Sequence, residues 1–128
     1  MTAFQRDVYF DHVRAALFDG ALSQQQVDGQ NILLGLFEWG ATGTPMTDVR
    51  WLAYMLATVF HECAGKMWPI EEHGKGSGRD YGQPDPETGQ TYYGRGFVQL
   101  TWKENYDRAS AALSLIDDRD LVAHPQLV

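Results

Sequence analysis

The apolar positions of the chain fall into four helical patterns and two short extended ones. From Phe4 to Asp19 they repeat at the spacing of one helix face. Val8, Phe10, Val13, Ala16 and Leu17 are expected inward, Arg6, Asp7, Asp11 and Arg14 outward, and Gly20 ends the helix. Ser23-Gln24-Gln25-Gln26 then has the form of a capping box and opens a second helix. Its inner face reads Val27, Ile32, Leu33, Leu36 and Phe37, up to Trp39-Gly40. Gly29 costs such a helix about 1 kcal/mol relative to Ala, which predicts a close packing contact there. Ala41 to Met46, rich in Gly, Thr and Pro, is a loop.

The third pattern organises the rest. Between Val49 and Phe60 nearly every residue is apolar, so this helix is expected to be central and buried, with Trp51 and Tyr54 in the core. Arg50, Thr58 and its short length exclude a bilayer span. Thr47 is the expected N-cap with Asp48 in the first turn, Gly65 the C′ stop, and Pro69 prevents continuation. The helical period then disappears: seven glycines and two prolines lie between Gly74 and Gly96. Met67 to Glu72 and Thr91 to Gly94 read as extended, with a turn at Pro84 to Gly89, giving a small β-hairpin lobe. Thr101, with Glu104 three residues on, is the expected cap of a fourth helix from Trp102 to about Leu113. Asp117 to Val128 starts another short element. The fold class is therefore α+β, mainly α, in a single domain over residues 1–128 with an apparently short C-terminal part.

Composition changes this picture little. A 44% hydrophobic, 21% charged chain is ordinary for a soluble protein, and a net charge of −7 argues against nucleic acid as partner. Residues 1–40 carry two Arg and five acids, residues 104–128 the same, and residues 66–103 five of each sign, so the middle is neutral between two acidic flanks. Cys63 is the one cysteine; no intrachain disulfide forms, and a residue in that setting is a packing group rather than a reactive thiol. No basic n-region followed by an apolar run opens the chain. Synthesis in the cytoplasm is expected, with release to a cell wall by a holin or secretion system, and no stable membrane insertion.

The candidate chemistry centres on Glu62, in the last turn of the third helix. A carboxylate at the negative end of a helix, beside apolar walls, should hold its proton more tightly than a free one, as a general acid must. Across from it the polar lobe carries Glu71, Glu72, Asp80, Asp85 and Glu87. An acid facing a carboxylate across a groove is the arrangement of glycoside hydrolysis. Trp68, Tyr81, Tyr92, Tyr93 and Trp102 suit pyranose faces, and Gln99, Thr101 and Asn105 suit hydroxyls and acetamides. Against this stands a structural reading in which Glu62 is buried and paired with Arg50, Arg79 or Arg95. A zinc site at His61-Glu62 lacks its second histidine, since position 65 is Gly, and Gly74 to Gly78 lacks the ending of a phosphate loop. No metal or cofactor is called for.

Three blocks, His61-Glu62, then Tyr92-Tyr93-Gly94-Arg95-Gly96-Phe97-Val98-Gln99-Leu100-Thr101, then Asn105-Tyr106, resemble the glycoside hydrolase family 19 chitinases and their phage endolysin relatives. The resemblance implies a lysozyme-like fold and an inverting attack on β-1,4-linked N-acetylated sugars. It gives Glu62 the place of the general acid and Gln99, Thr101 and Asn105 those of substrate- and water-positioning residues. Tyr93 and Arg95 fall in the motif that shapes the groove floor. Pro69-Ile70-Glu71-Glu72 matches the proline-x-x-glutamate of the phage type, which makes Glu72 the first choice as base and Glu71 the second. Strand alternation agrees, because an inward Ile70 shares its face with Glu72. The short loops and absent disulfides favour peptidoglycan over chitin as substrate. Cys63 stands where the family commonly has threonine, and relatives continue for several helices past the position of Val128. A truncated module that binds glycan or a partner without hydrolysis, or a chain completed by self-association, is the alternative.

Overall fold

The computed structural model describes residues 4–40 and 48–128; the Ala41 to Met46 loop and Thr47 lie outside them. The described chain runs α1 (Arg6–Leu17), α2 (Gln24–Gly40), α3 (Val49–Glu62), β1 (Ile70–Glu71), β2 (Arg95–Gly96) and α4 (Lys103–Ala112), with short 3-10 turns at Asp80–Gly82, Asp117–Arg119 and Pro125–Leu127. This is the mainly helical α+β architecture that the sequence predicts. The two strands pair antiparallel with Ile70 opposite Gly96 and Glu71 opposite Arg95, and Arg95 bridges onward to Leu100.

The capping box forms as read. Ser23 N–H donates to Gln26 Oε1 at 2.8 Å and Gln26 N–H to Ser23 Oγ at 3.1 Å. Gln26 does more: its Nε2 donates to Gly65 O at 3.0 Å, tying the start of α2 to the end of α3. Gly29 explains itself just beyond. A Cβ there would stand 1.7 Å from Met67 O and 3.3 Å from Trp68 Cε3, so the chain leaving α3 crosses α2 in contact with its backbone. The next residue, buried Gln30, accepts from Tyr9 Oη at 2.6 Å and donates to Gln26 O at 2.9 Å, so its amide is satisfied inside an apolar seam. Burial pushes the Tyr9 hydroxyl up to about 12.

Several inward assignments do not hold. On α1 only Val13 is buried, while Val8, Ala16 and Leu17 are exposed; on α2 the buried side chains are Gln30, Leu33, Leu34 and Phe37, while Ile32 and Leu36 face out. The 3.6-residue period identifies a helix, but an apolar arc wider than one contact leaves its phase open. The same error is larger on α3. Leu52 and Val59 are buried, yet Trp51 and Tyr54 are 61% and 70% exposed. Packing covers one side of the helix among the described residues, and aromatic character alone does not say which side that is. The core gathers in two clusters on that side, Leu33, Val59, Cys63 and Met67 in one and Leu34, Phe37 and Leu52 in the other.

Helix ends also differ in detail. Asp48 caps α3, its side chain accepting from Arg50 N–H at 2.9 Å. At the far end the left-handed C′ position is Ala64 (φ 48°) and Gly65 follows it (φ 74°), with Gly65 N–H donating to Phe60 O and Ala64 N–H to His61 O. Thr101 does not cap α4. Trp102 holds that position at φ 74°, and the Thr101 hydroxyl donates instead to Gln99 O. A third cluster of Tyr92, Tyr106 and Leu121 joins the hairpin lobe to α4 and the C-terminal turns, locked by Tyr92 Oη donating to Val122 O at 2.8 Å.

Candidate active site

The end of α3 is fastened to the hairpin through Cys63. Its buried thiol donates to Phe97 O at 3.2 Å, next to the β2 residue that pairs with Ile70. Burial first, and the neighbouring Glu62 charge second, push this thiol up, so it is a structural donor. Cys63 takes the buried place at the helix end and turns Glu62 outward. Glu62 is exposed rather than walled by apolar groups as the sequence suggested. None of the ion pairs among the described residues includes it: Arg50 pairs with Asp48, and Arg95 lies beside Glu71. The reading of a sealed, ion-paired Glu62 therefore fails.

Glu71 ends β1 and Glu72 follows it, and the two acids have different surroundings. Ile70 points into the Leu33, Val59, Cys63 and Met67 cluster. Half-buried Glu72 is held at both oxygens, Oε1 accepting from Tyr81 Oη at 2.9 Å and Oε2 from Gly94 N–H at 3.0 Å. That contact raises the Tyr81 hydroxyl, keeping it a donor. Glu71 is exposed, with Oε1 accepting from Tyr93 Oη at 3.0 Å and Oε2 within 3.1 Å of Lys75 Nζ. Lys75 first and Tyr93 next hold the Glu71 carboxyl below the usual carboxylate range.

Tyr81 reaches Glu72 because the glycine loop crosses itself. A Cβ on Gly82 would stand 1.9 Å from Gly76 O, and Gly76 sits at φ 72°, so neither position admits a side chain without moving the loop. Sequence reading placed Tyr81 among the aromatics but had no sign of this contact. Lys75, four residues after Glu71, was visible as a charge pair and was not weighed.

Tyr93 and Arg95 are both buried. The Arg95 guanidinium is 7% exposed, stacks 3.6 Å over the Tyr93 ring, and donates to Thr91 O at 2.9 Å and Tyr106 Oη at 3.0 Å. Tyr106 Oη returns a bond to Tyr93 O at 2.7 Å. Among the described residues Arg95 Nε lacks a hydrogen-bond partner, at 3.9 Å from Glu71 Oε1.

Gln99, Thr101 and Asn105 are linked by side-chain bonds to backbone carbonyls. Asn105 Nδ2 donates to Thr101 O at 2.8 Å, Thr101 Oγ1 to Gln99 O at 2.9 Å, and Gln99 Nε2 to Ile70 O at 2.9 Å. Gly94 lies against the first two: a Cβ there would meet Gln99 Oε1 at 2.8 Å and Thr101 Oγ1 at 3.3 Å. This polar row is thus continuous with Glu72 through Gly94. Trp68 is half-buried and lies over Gly29 of α2.

Comparison with known proteins places the chain in a family. The sequence signature of the class I chitinases, glycoside hydrolase family 19, matches residues 34–128. Similar relatives include chitinase 2 of Oryza sativa subsp. japonica, 35% identical over 70% of this chain and 29% of the relative. An endochitinase of Carica papaya is 33% identical over 66% of this chain and 42% of its own length. An inactive chitinase-like protein 1 of Hevea brasiliensis is 31% identical over 70% and 32%. The chain spans roughly a third of the length of the curated relatives it matches. No solved structure matches it significantly. With well over half of its residues under that signature, the chain belongs to glycoside hydrolase family 19, the class I chitinases.

Proposed function

We propose that this chain carries the catalytic groove of a glycosidase cleaving β-1,4 linkages between N-acetylated sugars. Glu62 is the general acid, protonating the leaving glycosidic oxygen. Glu72 is the general base, taking a proton from the water that attacks the anomeric carbon, and Glu71 is the second candidate for that role. Gln99, Thr101 and Asn105 orient the sugar and the water. The observation that carries this reading is the pair of dissimilar carboxylates on one fastened unit: an exposed Glu62 on a helix end bonded to the hairpin, and a Glu72 fixed at both oxygens. Chitin is the substrate that the relatives' names support. Peptidoglycan shares the β-1,4 N-acetylated backbone and is the second substrate to test.

Hydrolysis of chitin oligomers and clearing of a peptidoglycan suspension, each with wild type and Glu62→Gln, test it. Activity that falls by about 10²- to 10⁴-fold in the variant, with oligosaccharide binding kept, is expected. A second reading, a module that binds glycan without cutting it, draws support from the similarity to a relative named inactive. Oligosaccharide binding without turnover in wild type would select it. A chain that associates with itself to complete the groove would show activity rising with protein concentration.

A further inference from the structure

Beside Tyr81 lies a concavity of about 250 Å³ that the catalytic reading leaves unused. Its walls are the rings of Tyr81 and Trp102, with Lys103, Asp80, Gln83 and Asp85 supplying polar atoms. The two rings meet edge to face at 5.1 Å, which leaves Trp102 a free face, and Trp102 is 46% exposed. The backbone holds that ring out at a cost. Trp102 sits at φ 74°, a conformation a bulky side chain seldom adopts. Its N–H donates to Tyr92 O at 2.9 Å and its carbonyl accepts from Asn105 and Tyr106 N–H, so the strained residue is fixed from both sides. The polar rim is also fixed: Lys103 Nζ lies 3.3 Å from Asp85 and 2.7 Å from Glu87, which pins the Pro84 to Gly89 turn to α4.

A rigid aromatic plate with a fixed rim of mixed charge suits a ring that is apolar on its face and polar at its edge. The volume lies under the roughly 300–1,000 Å³ of a drug-sized ligand pocket, so it takes one sugar ring. We infer that Trp102, Tyr81 and Lys103 form an outer subsite for one N-acetylhexosamine unit of a β-1,4 glycan, set beyond Glu72 along the groove. The inference rests on the glycosidase reading, because Tyr81 links the two places: its ring walls the concavity and its hydroxyl donates to Glu72. A sugar seated there acts on Tyr81 and so on the candidate base, while short oligomers seated only at the catalytic acids leave it empty.

The test is calorimetric titration of the Glu62→Gln chain with β-1,4-linked N-acetylglucosamine oligomers of increasing length, and in parallel with peptidoglycan glycan strands. For the arm that binds, Trp102→Ala is expected to cost about tenfold in affinity for the longest oligomer and to leave the shortest unchanged. Trp102→Phe, which keeps a plate, restores most of the loss. In the unsubstituted chain the Trp102 indole N–H resonance is expected to shift with long oligomers only, a readout independent of whether the alanine variant folds. Equal loss at every length, or an indole resonance that never moves while oligomers bind, overturns the subsite and leaves the glycosidase reading standing. Failure of every oligomer to bind overturns both.

Discussion

Glu72 and Gly94 hold each other twice: Glu72 N–H donates to Gly94 O at 2.7 Å, and Gly94 N–H returns to Glu72 Oε2 at 3.0 Å. The carboxylate is thereby fixed to the residue just before β2, and Tyr81 supplies the second donor. A hydrogen bond to an ionised group contributes about 1.5–3 kcal/mol. Tyr81→Phe is therefore expected to lower kcat roughly 10- to 100-fold with the fold intact by circular dichroism. Unchanged kcat in that variant would mean that Glu72 needs no outside alignment.

The choice between Glu71 and Glu72 follows from their surroundings. Glu72→Gln is expected to reduce kcat by about 10²- to 10⁴-fold, and Glu71→Gln by less than tenfold. Lys75 first and Tyr93 next hold the Glu71 carboxyl low, which makes it a weaker base than an ordinary carboxylate. Lys75→Met should let the Glu71 carboxyl rise toward its ordinary value, which a carbon-detected NMR titration reads directly. The opposite order of activities would move the base to Glu71.

How much of this was legible beforehand differs from residue to residue. The capping box at Ser23 and Gln26 was readable because both partners lie within one turn of each other. The need for a close contact at Gly29 was readable too, since glycine inside a good helix asks for a reason; that the partner would be Met67 O was not. Trp51 and Tyr54 were misplaced because burial belongs to whatever packs against a helix, and composition carries no record of it. Thr101 was misread as a cap because its hydroxyl has a nearer use, the Gln99 carbonyl, in a turn where Gln99 itself has φ 55°. The catalytic candidates themselves were legible only as ordered blocks. Tyr81's part depends on Gly76 and Gly82 touching across a loop, which no short-range pattern encodes.

Gly29→Ala decides whether that contact is structural. Helix propensity alone would favour alanine by about 1 kcal/mol. The new methyl would overlap a backbone carbonyl, which cannot rotate away as a side chain can. Overpacking of this kind costs about 1–3 kcal/mol or more, so the variant is expected to unfold at lower denaturant. A gain in stability would show that the Met67 segment moves freely.

The Asp85 turn should lose stability in acid. Backbone N–H of Thr88 first, then Lys103 and the Thr88 hydroxyl, lower the Asp85 carboxyl relative to an unfolded chain. A group whose folded pKa is depressed stabilises above its unfolded value, near 3.9, and that contribution disappears as pH falls through the lower folded value. The thermal midpoint of wild type should thus fall more steeply below about pH 4 than that of Asp85→Asn, which starts lower. Parallel curves would show that the turn draws nothing from the ionised carboxylate.

Cys63 offers the opposite sign and a report on Glu62. Its thiol is raised by burial and by the adjacent Glu62 charge, so the folded chain keeps that proton when the unfolded chain has released it. Stability is then whole below the unfolded thiol pKa of about 8.5 and declines as pH rises past it. Alkylation by iodoacetamide should be slow in the native protein at neutral pH and fast after unfolding. Glu62→Gln removes the charge but not the burial, so the thiol should titrate lower than in wild type while staying above its ordinary value. Native titration curves of the two proteins that coincide would mean that the carboxylate at position 62 does not act on the sulfur beside it, and the helix end would lose its only electrical probe of the proposed acid.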